Sequence, residues 1–266
     1  MSPHEFLAGM SVVLIPLAVF ATLVARYALI AGGAMAILVL FRKQVDPARL
    51  QPVPITTAQI FRELCWSLST LMIFAVLLTG LIALNQSWAI FKVYPEFGQY
   101  GVVWEFIALA ILFFGHDAYF YAAHRLMHAP GVYDRVHKVH HLSTNPTPLS
   151  AFSFHPVEAF VELAGVIVLI CIGPISAPMV ALFSLIALAL NVIGHLGVEI
   201  YPRRWLTHPV LKYLNSPTVH NHHHRTFRGN YGLYTLVWDH VFGTLNPPKS
   251  LGTAYSPTRP GLQAEN

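Results

Sequence analysis

The sequence predicts an all-α integral membrane protein, with four to six transmembrane or half-membrane helices beneath a cytosolic helical cap carrying a histidine-rich dinuclear metal site. Two observations predict the membrane part. The 266 residues are 55% hydrophobic and only 11% charged, too apolar for an ordinary soluble domain. Residues 64–91 and 163–198 contain no Asp, Glu, Lys or Arg, and a bilayer crossing needs about 20 apolar residues. A third observation predicts the cap: 15 histidines outnumber the 12 carboxylates, and several fall at offsets of three and four, which bring side chains together on one face of a helix.

In chain order, the stretch from Phe6 to Phe41 is apolar apart from Arg26 and reads as one long tilted helix or two short ones. It lacks the basic start and small-residue cleavage site of a secretory signal, so it is expected to be retained. A Pro-containing polar link, residues 44–61, leads into a second span at about 64–84. After a loop with Pro95 and Gly98, a third span begins near Val102 and continues without a breaker into His116 and the first histidine pair. One helix is therefore expected to leave the bilayer carrying ligands. Ser143 to Pro148 reads as a loop, and residues 157–196 as an apolar hairpin broken at Gly173-Pro174 and Pro178. The chain to about Thr244 is amphipathic, and the last stretch, rich in Pro, Gly, Ser and Thr, reads as a tail. No internal repeat is evident.

The net charge is +4, and all Lys and Arg except Arg26 and Lys92 lie in segments that flank or contain the histidine groups. Short basic loops stay on the cytoplasmic side, which places the histidines in the cytosol at the membrane surface. Headgroup contact explains these cations better than nucleic acid, because no aromatic-and-basic pattern accompanies them. Cys65 and Cys171 both sit in apolar segments with no CxxC, and read as small buried hydrophobes.

The chemistry is carried by three histidine groups. His124 and His128 stand at i and i+4 in HRLMH; His137, His140 and His141 form HKVHH; His220, His223 and His224 repeat that spacing within HNHHH. Eight imidazoles are too many for one zinc, which takes four ligands in structural sites and three plus water in catalytic ones, so two metals fit better. Imidazole suits iron, zinc, copper and nickel alike, and the ligands leave the metal open. His195, near the end of the hairpin, is expected to be a ninth ligand. His116 is expected to line the site, His222 to point away from the shared face, and His155 to be structural. A ligating histidine usually donates its second N–H to a carboxylate or carbonyl. Asp117, seven residues before His124 and eleven before His128, is placed on their helical face for this role, with Asp134, Glu158 and Asp239 as further candidates.

Competing functions want other residues. A metal transporter, the alternative from another class, is also apolar and histidine-rich but binds its cargo near the middle of its spans. A zinc membrane protease wants HExxH and a serine hydrolase something like GxSxG, and neither occurs.

The order HxxxH, HxxHH, HxxHH on a membrane chain, with YAAHR at Tyr121 to Arg125, resembles the fatty acid hydroxylase/sterol desaturase superfamily. HKVHHLSTNPTPLSAFSFHP, residues 137–156, is similar to the second-motif region of sterol C5-desaturases. HNHHHRTFRGNYGLYTLVWDHVFGT, residues 220–244, is similar to the third-motif region, with its NYG and WD-x-x-FGT elements.

The resemblance implies a catalytic domain of this superfamily at residues 101–246 and does not extend to residues 1–100, read from their apolar composition as an N-terminal membrane region, or to 247–266, read as a tail. It implies a membrane-bound non-haem di-iron oxidoreductase that uses O2 and external electrons to hydroxylate or desaturate a lipid. The PTP and FHP elements tilt this toward a sterol-like substrate, with fatty acyl chains and ether lipids as alternatives. It assigns two Fe ions to His124, His128, His137, His140, His141, His220, His223 and His224, with His195. Neither GxGxxG nor an iron–sulfur cysteine set is present, so an electron-transfer partner such as cytochrome b5, ferredoxin or a flavoprotein reductase is implied. Arg203, Arg204, Lys212, Arg225 and Arg228 are its candidate docking patch.

Overall fold

The computed structural model of the protein describes residues 14–248. The predicted tail beyond 248 and the first residues of the N-terminal stretch lie outside them. Among the described residues, four helices are long and apolar enough to cross a membrane. They are α1 (Leu14–Leu40), α2 (Thr57–Trp88), α3 (Val102–Met127) and, later in the chain, α7 (Ala177–Gly194). From Leu14 onward the N-terminal stretch is one helix, not two, and it absorbs a single π-helical turn at Ala28–Gly32. Exposed apolar side chains such as Leu29, Val76, Phe106 and Phe114 stud these helices, the kind of surface that lipid rather than water covers.

Local chemistry sets the ends of each element. Thr56 caps α2 by accepting the Gln59 N–H at 3.1 Å, and Ala89 closes the helix in the left-handed region. The interior of α2 lacks proline over 32 residues, so nothing interrupts it before its end. The hairpin behaves as its breakers require: α6 (Pro156–Ile172) stops before Gly173-Pro174, and α7 restarts after Ser176, whose hydroxyl accepts from the Met179 N–H. At 17 residues α6 falls just short of a full crossing. His155 caps α6, its Nδ1 accepting the Val157 N–H at 3.2 Å, the structural role its position predicts.

At the end remote from the histidines, β1 (Val93–Tyr94) pairs in parallel with β2 (Ile175–Ser176). Buried Glu105, in the first turn of α3, ties this end together. It accepts from the Tyr94 hydroxyl at 2.9 Å, the Gly98 N–H at 2.6 Å and the Ser176 hydroxyl at 2.6 Å. A carboxylate that gathers three donors is a satisfied buried acid.

At the other end the chain forms the cap. The HKVHH segment is not one helix: α4 (Tyr133–Val136) and α5 (Lys138–His141) are single turns that meet at His137. A 3-10 turn at Pro148–Phe152 then wedges between helices. The Leu149 carbonyl accepts from the Tyr27 and Ser67 hydroxyls, and the Ala151 carbonyl from the Asn191 side chain. The cap closes with α8 (Arg203–Thr207), α9 (Pro217–Thr226) and α10 (Val237–Val241).

Candidate metal centre

α3 and α7 end at the same face of the bundle, and each delivers a histidine there. His124 lies in the last turn of α3, and His195 is the C-cap of α7. Unsatisfied carbonyls give a helix C-terminus a partial negative charge, which favours a nearby cation. α9 adds the third group. Ser216 caps it by accepting the Val219 N–H at 3.3 Å, and Pro217 starts it, so His220, His223 and His224 follow on the buried side. His222 turns outward to Arg225, as its position predicts.

The nine predicted histidines come together as two groups. His124, His128, His137, His141 and His223 form one, and His140, His195, His220 and His224 the other. Within each group, one ring nitrogen from every member lies within 4.8 Å of the rest. All are buried except His128, which is partly so.

The nitrogens are arranged as metal ligands are. In the first group Nε2 of His124 lies 3.0 Å from that of His137, 3.1 Å from that of His223 and 3.2 Å from that of His128. In the second, Nε2 of His224 lies 3.1 Å from those of His195 and His220. Nitrogens around a metal bound at about 2.1 Å stand roughly 3.0–3.4 Å apart in octahedral or tetrahedral sites.

Hydrogen bonding at the opposite ring nitrogen decides what these contacts are. Nδ1 of His124 lies 2.8 Å from the Tyr231 carbonyl, and Nδ1 of His223 lies 2.7 Å from that of Gly229. In the second group, Nδ1 of His195 lies 2.7 Å from the Asn191 carbonyl, and that of His224 3.1 Å from the Ser143 carbonyl. A carbonyl only accepts, so Nδ1 carries the proton in all four. A neutral imidazole has one N–H, and each Nε2 is therefore a bare lone pair. His124 and His223 thus oppose lone pair to lone pair, and so do His195 and His224. A cation between them converts that repulsion into binding, and the residues fit a metal in each group.

Burial keeps the rings in the neutral, ligating form. It holds His195 down to about 4, and with neighbouring His124 it pushes His128 down to about 2. Burial first and adjacent imidazoles second hold His137, His140, His141, His220, His223 and His224 well below the ordinary histidine value.

One expected residue takes another role. Asp117 reaches no histidine of either group. Its carboxylate accepts from the Tyr234 N–H at 2.9 Å, the Thr235 N–H at 3.2 Å and the Thr235 hydroxyl at 2.5 Å. It shares a helical face with His124, but seven residues place it about 10 Å further along the axis. The acid that does meet a histidine is Glu158, whose Oε1 lies 2.7 Å from Nδ1 of His137. Asp239 acts one step back: it accepts from the backbone N–H groups of Tyr231 and Gly232 at 2.9 and 2.8 Å, holding the carbonyl that faces His124. Asp134 only pairs with Lys138 at the exposed surface.

Two features were missed. Glu63, the only carboxylate on α2, is fully buried and accepts from the Ser143 hydroxyl at 2.7 Å and the Thr147 hydroxyl at 2.5 Å. It thereby fixes the segment whose Ser143 carbonyl faces His224; a lone acid heading an apolar span was the signal available. Gly229 is the other. It adopts φ +65°, and a Cβ there would lie 2.3 Å from the Thr244 carbonyl oxygen, so only glycine at this position lets the Gly229 carbonyl face His223.

Beside the second group an apolar cavity of about 410 Å³ runs along one face of α7, past Ala177, Val180, Ser184, Ala187, Leu188 and Asn191. Phe154 lines it and packs on His140 at 5.2 Å between ring centroids. His116 lines it too, as its position predicts, with Nδ1 3.1 Å from the Tyr234 hydroxyl.

Fold and site together define an integral membrane protein whose helices support a paired, histidine-only candidate metal centre. The fatty acid hydroxylase family profile matches residues 109–244, and the chain belongs to that family. It is 30% identical over 155 residues to a protein named Delta(7)-sterol 5(6)-desaturase from Gibberella zeae, covering 58% of this chain and 46% of that protein. It is 26% identical over 196 residues to human lathosterol oxidase, covering 72% of this chain and 63% of the relative. A human protein named fatty acid hydroxylase domain-containing protein 2 is 32% identical over 143 residues, covering 53% of this chain and 39% of that protein. The chain thus spans about half to two thirds of the length of its sterol-enzyme relatives. No solved structure gives a significant match.

Proposed function

We propose that this protein is a membrane-bound non-haem di-iron oxidoreductase that hydroxylates or desaturates a lipid, using O2 and electrons from a separate donor. The observation that carries this reading is the pairing of bare Nε2 atoms in two adjacent histidine groups beside an apolar cavity. His124, His128, His137, His141 and His223 would hold one iron, and His140, His195, His220 and His224 the other. Iron, unlike redox-inert zinc, supplies the O2-derived oxidising power that an unactivated C–H bond demands. A sterol-like substrate is favoured by the relatives named for sterol desaturation and lathosterol oxidation, with fatty acyl and ether lipids as alternatives.

The chain's own residues do the positioning. The carbonyls of Tyr231, Gly229, Asn191 and Ser143 hold the Nδ1 protons and aim each Nε2 inward, and Glu158 does the same for His137. Phe152, Phe154 and Phe183 exclude water from the cavity, where a lipid's reacting carbon would sit beside the second group. The catalytic unit we assign is 101–246, with 1–100 as membrane region and 247–266 as tail. The basic flanks favour a centre on the cytoplasmic side, where Arg203, Arg204, Lys212, Arg225 and Arg228 would meet an acidic donor such as cytochrome b5, ferredoxin or a flavoprotein reductase.

The test is elemental analysis of protein made in iron-replete cells, followed by lipid profiling of cells with and without the gene under isotope-labelled dioxygen. Two irons per chain are expected, with a lipid that either gains labelled oxygen or loses two hydrogens. Protein without stoichiometric iron, or lipid pools unchanged by the gene, would sink the proposal.

A further inference from the structure

We propose that Arg26 recognises an oxygen acceptor, a carboxylate first, on the substrate, and so sets how far along the lipid the oxidised carbon lies. This deepens the reading above, rests on the cavity being the lipid site, and takes up its fatty acyl alternative, since a sterol offers a hydroxyl where a fatty acid offers a carboxylate. Arg26 sits near the midpoint of α1, deep in an apolar span where a charge is costly and rarely placed without a use. It lines the same cavity that reaches Asn191 and Phe154 beside the second histidine group.

Its hydrogen bonding is incomplete in one specific way. One guanidinium nitrogen donates to the Ser184 hydroxyl at 2.8 Å, and that hydroxyl donates in turn to the Ala181 carbonyl at 2.8 Å. Nε is buried without a partner, and among the described residues no ion pair includes Arg26. A guanidinium only donates, so what remains unmet at this point of the cavity is an acceptor, and a carboxylate matches its fork best. Ser184 precedes His195 on α7 by eleven residues, about 16 Å along the helix axis. A lipid anchored at Arg26 therefore presents to the histidines a carbon well removed from its oxygen-bearing end. Glu162 also lines the cavity and is the competing carboxylate that the test has to separate.

Binding of radiolabelled hexadecanoate, hexadecanol and hexadecane to the full chain in detergent tests the assignment. Wild type is expected to bind hexadecanoate about tenfold or more tightly than hexadecane, with hexadecanol between, as a charge-assisted hydrogen bond implies. Arg26→Gln should erase that advantage and leave hexadecane binding unchanged; Arg26→Lys should keep part of it, and serves if Arg26→Gln does not fold. Glu162→Gln should leave the preference in place. Equal binding of the three probes by wild type, a preference that survives Arg26→Gln, or one that emerges only in Glu162→Gln would overturn the assignment. Iron content of the same preparations reports separately on the oxygenase reading: iron absent while the probe preference holds would reject that reading and leave Arg26 as an acceptor site.

Discussion

Nδ1 of His137 lies 2.7 Å from Oε1 of Glu158, and both side chains are essentially excluded from solvent. The pair links α6 to the point where α4 and α5 meet, so one hydrogen bond both orients a ring and fixes the cap on the bundle. Glu158→Gln should lower metal affinity by about 10- to 100-fold while helical content is unchanged, because an amide orients the His137 ring less firmly than the carboxyl group that now meets it. Metal titration of the purified variant against wild type reads this directly. An unaltered affinity would leave Glu158 as packing alone.

The two histidine groups should empty separately. His223→Ala removes a member of the first group, and His140→Ala one of the second. Each is expected to lose about half of the bound metal and all turnover, since affinity depends on the full ligand set. If either variant binds as much metal as wild type, the grouping is wrong.

Acid should weaken the metal-free protein. Burial holds His195 down to about 4, against an ordinary value of about 6.5 in the unfolded chain. A depressed folded value means that the native state resists protonation. Its contribution to stability is present above pH about 6.5 and is lost as pH falls through about 4. Thermal unfolding in detergent, followed from neutral pH down to that range, should show a falling Tm; a flat profile would contradict the burial of these rings.

Asp117 should matter to the fold and not directly to the metal. It gathers the backbone of Tyr234 and Thr235 against α3, and Asp117→Asn forfeits charge-assisted bonds to buried donors. A destabilisation of about 1–3 kcal/mol is expected, with metal stoichiometry retained in whatever protein folds. Loss of metal at unchanged Tm would instead tie Asp117 to the ligands.

Much of this was legible locally. Long stretches without charge mark α2 and α7, and apolar stretches with few charges mark α1 and α3, because lipid tolerates no unpaired polar group and that requirement leaves its trace in composition. Eight of the nine histidines were readable because side chains that share one helical face recur at three and four residues, whereas His195 stands alone and only the fold brings it to His140, His220 and His224. The role of Asp117 was not. Its offset from His124 gives the correct face of α3, but only the folded chain brings the loop at Tyr234 and Thr235 to its carboxylate.

Sequence by itself determined the apolar spans, the three histidine groups and the family to which they belong, since each rests on residue type and short-range spacing. Tertiary structure decided which histidine joins which group. His140 and His141 are neighbours in the chain, yet they fall into different groups, because one turn of helix points adjacent rings about 100° apart. It also decided that Glu158 meets His137 and that Glu63 braces Ser143, and it brought Arg26 to Ser184 across 158 residues of chain. Those contacts join separate helices, and their partners are chosen by packing rather than by any periodicity within one element.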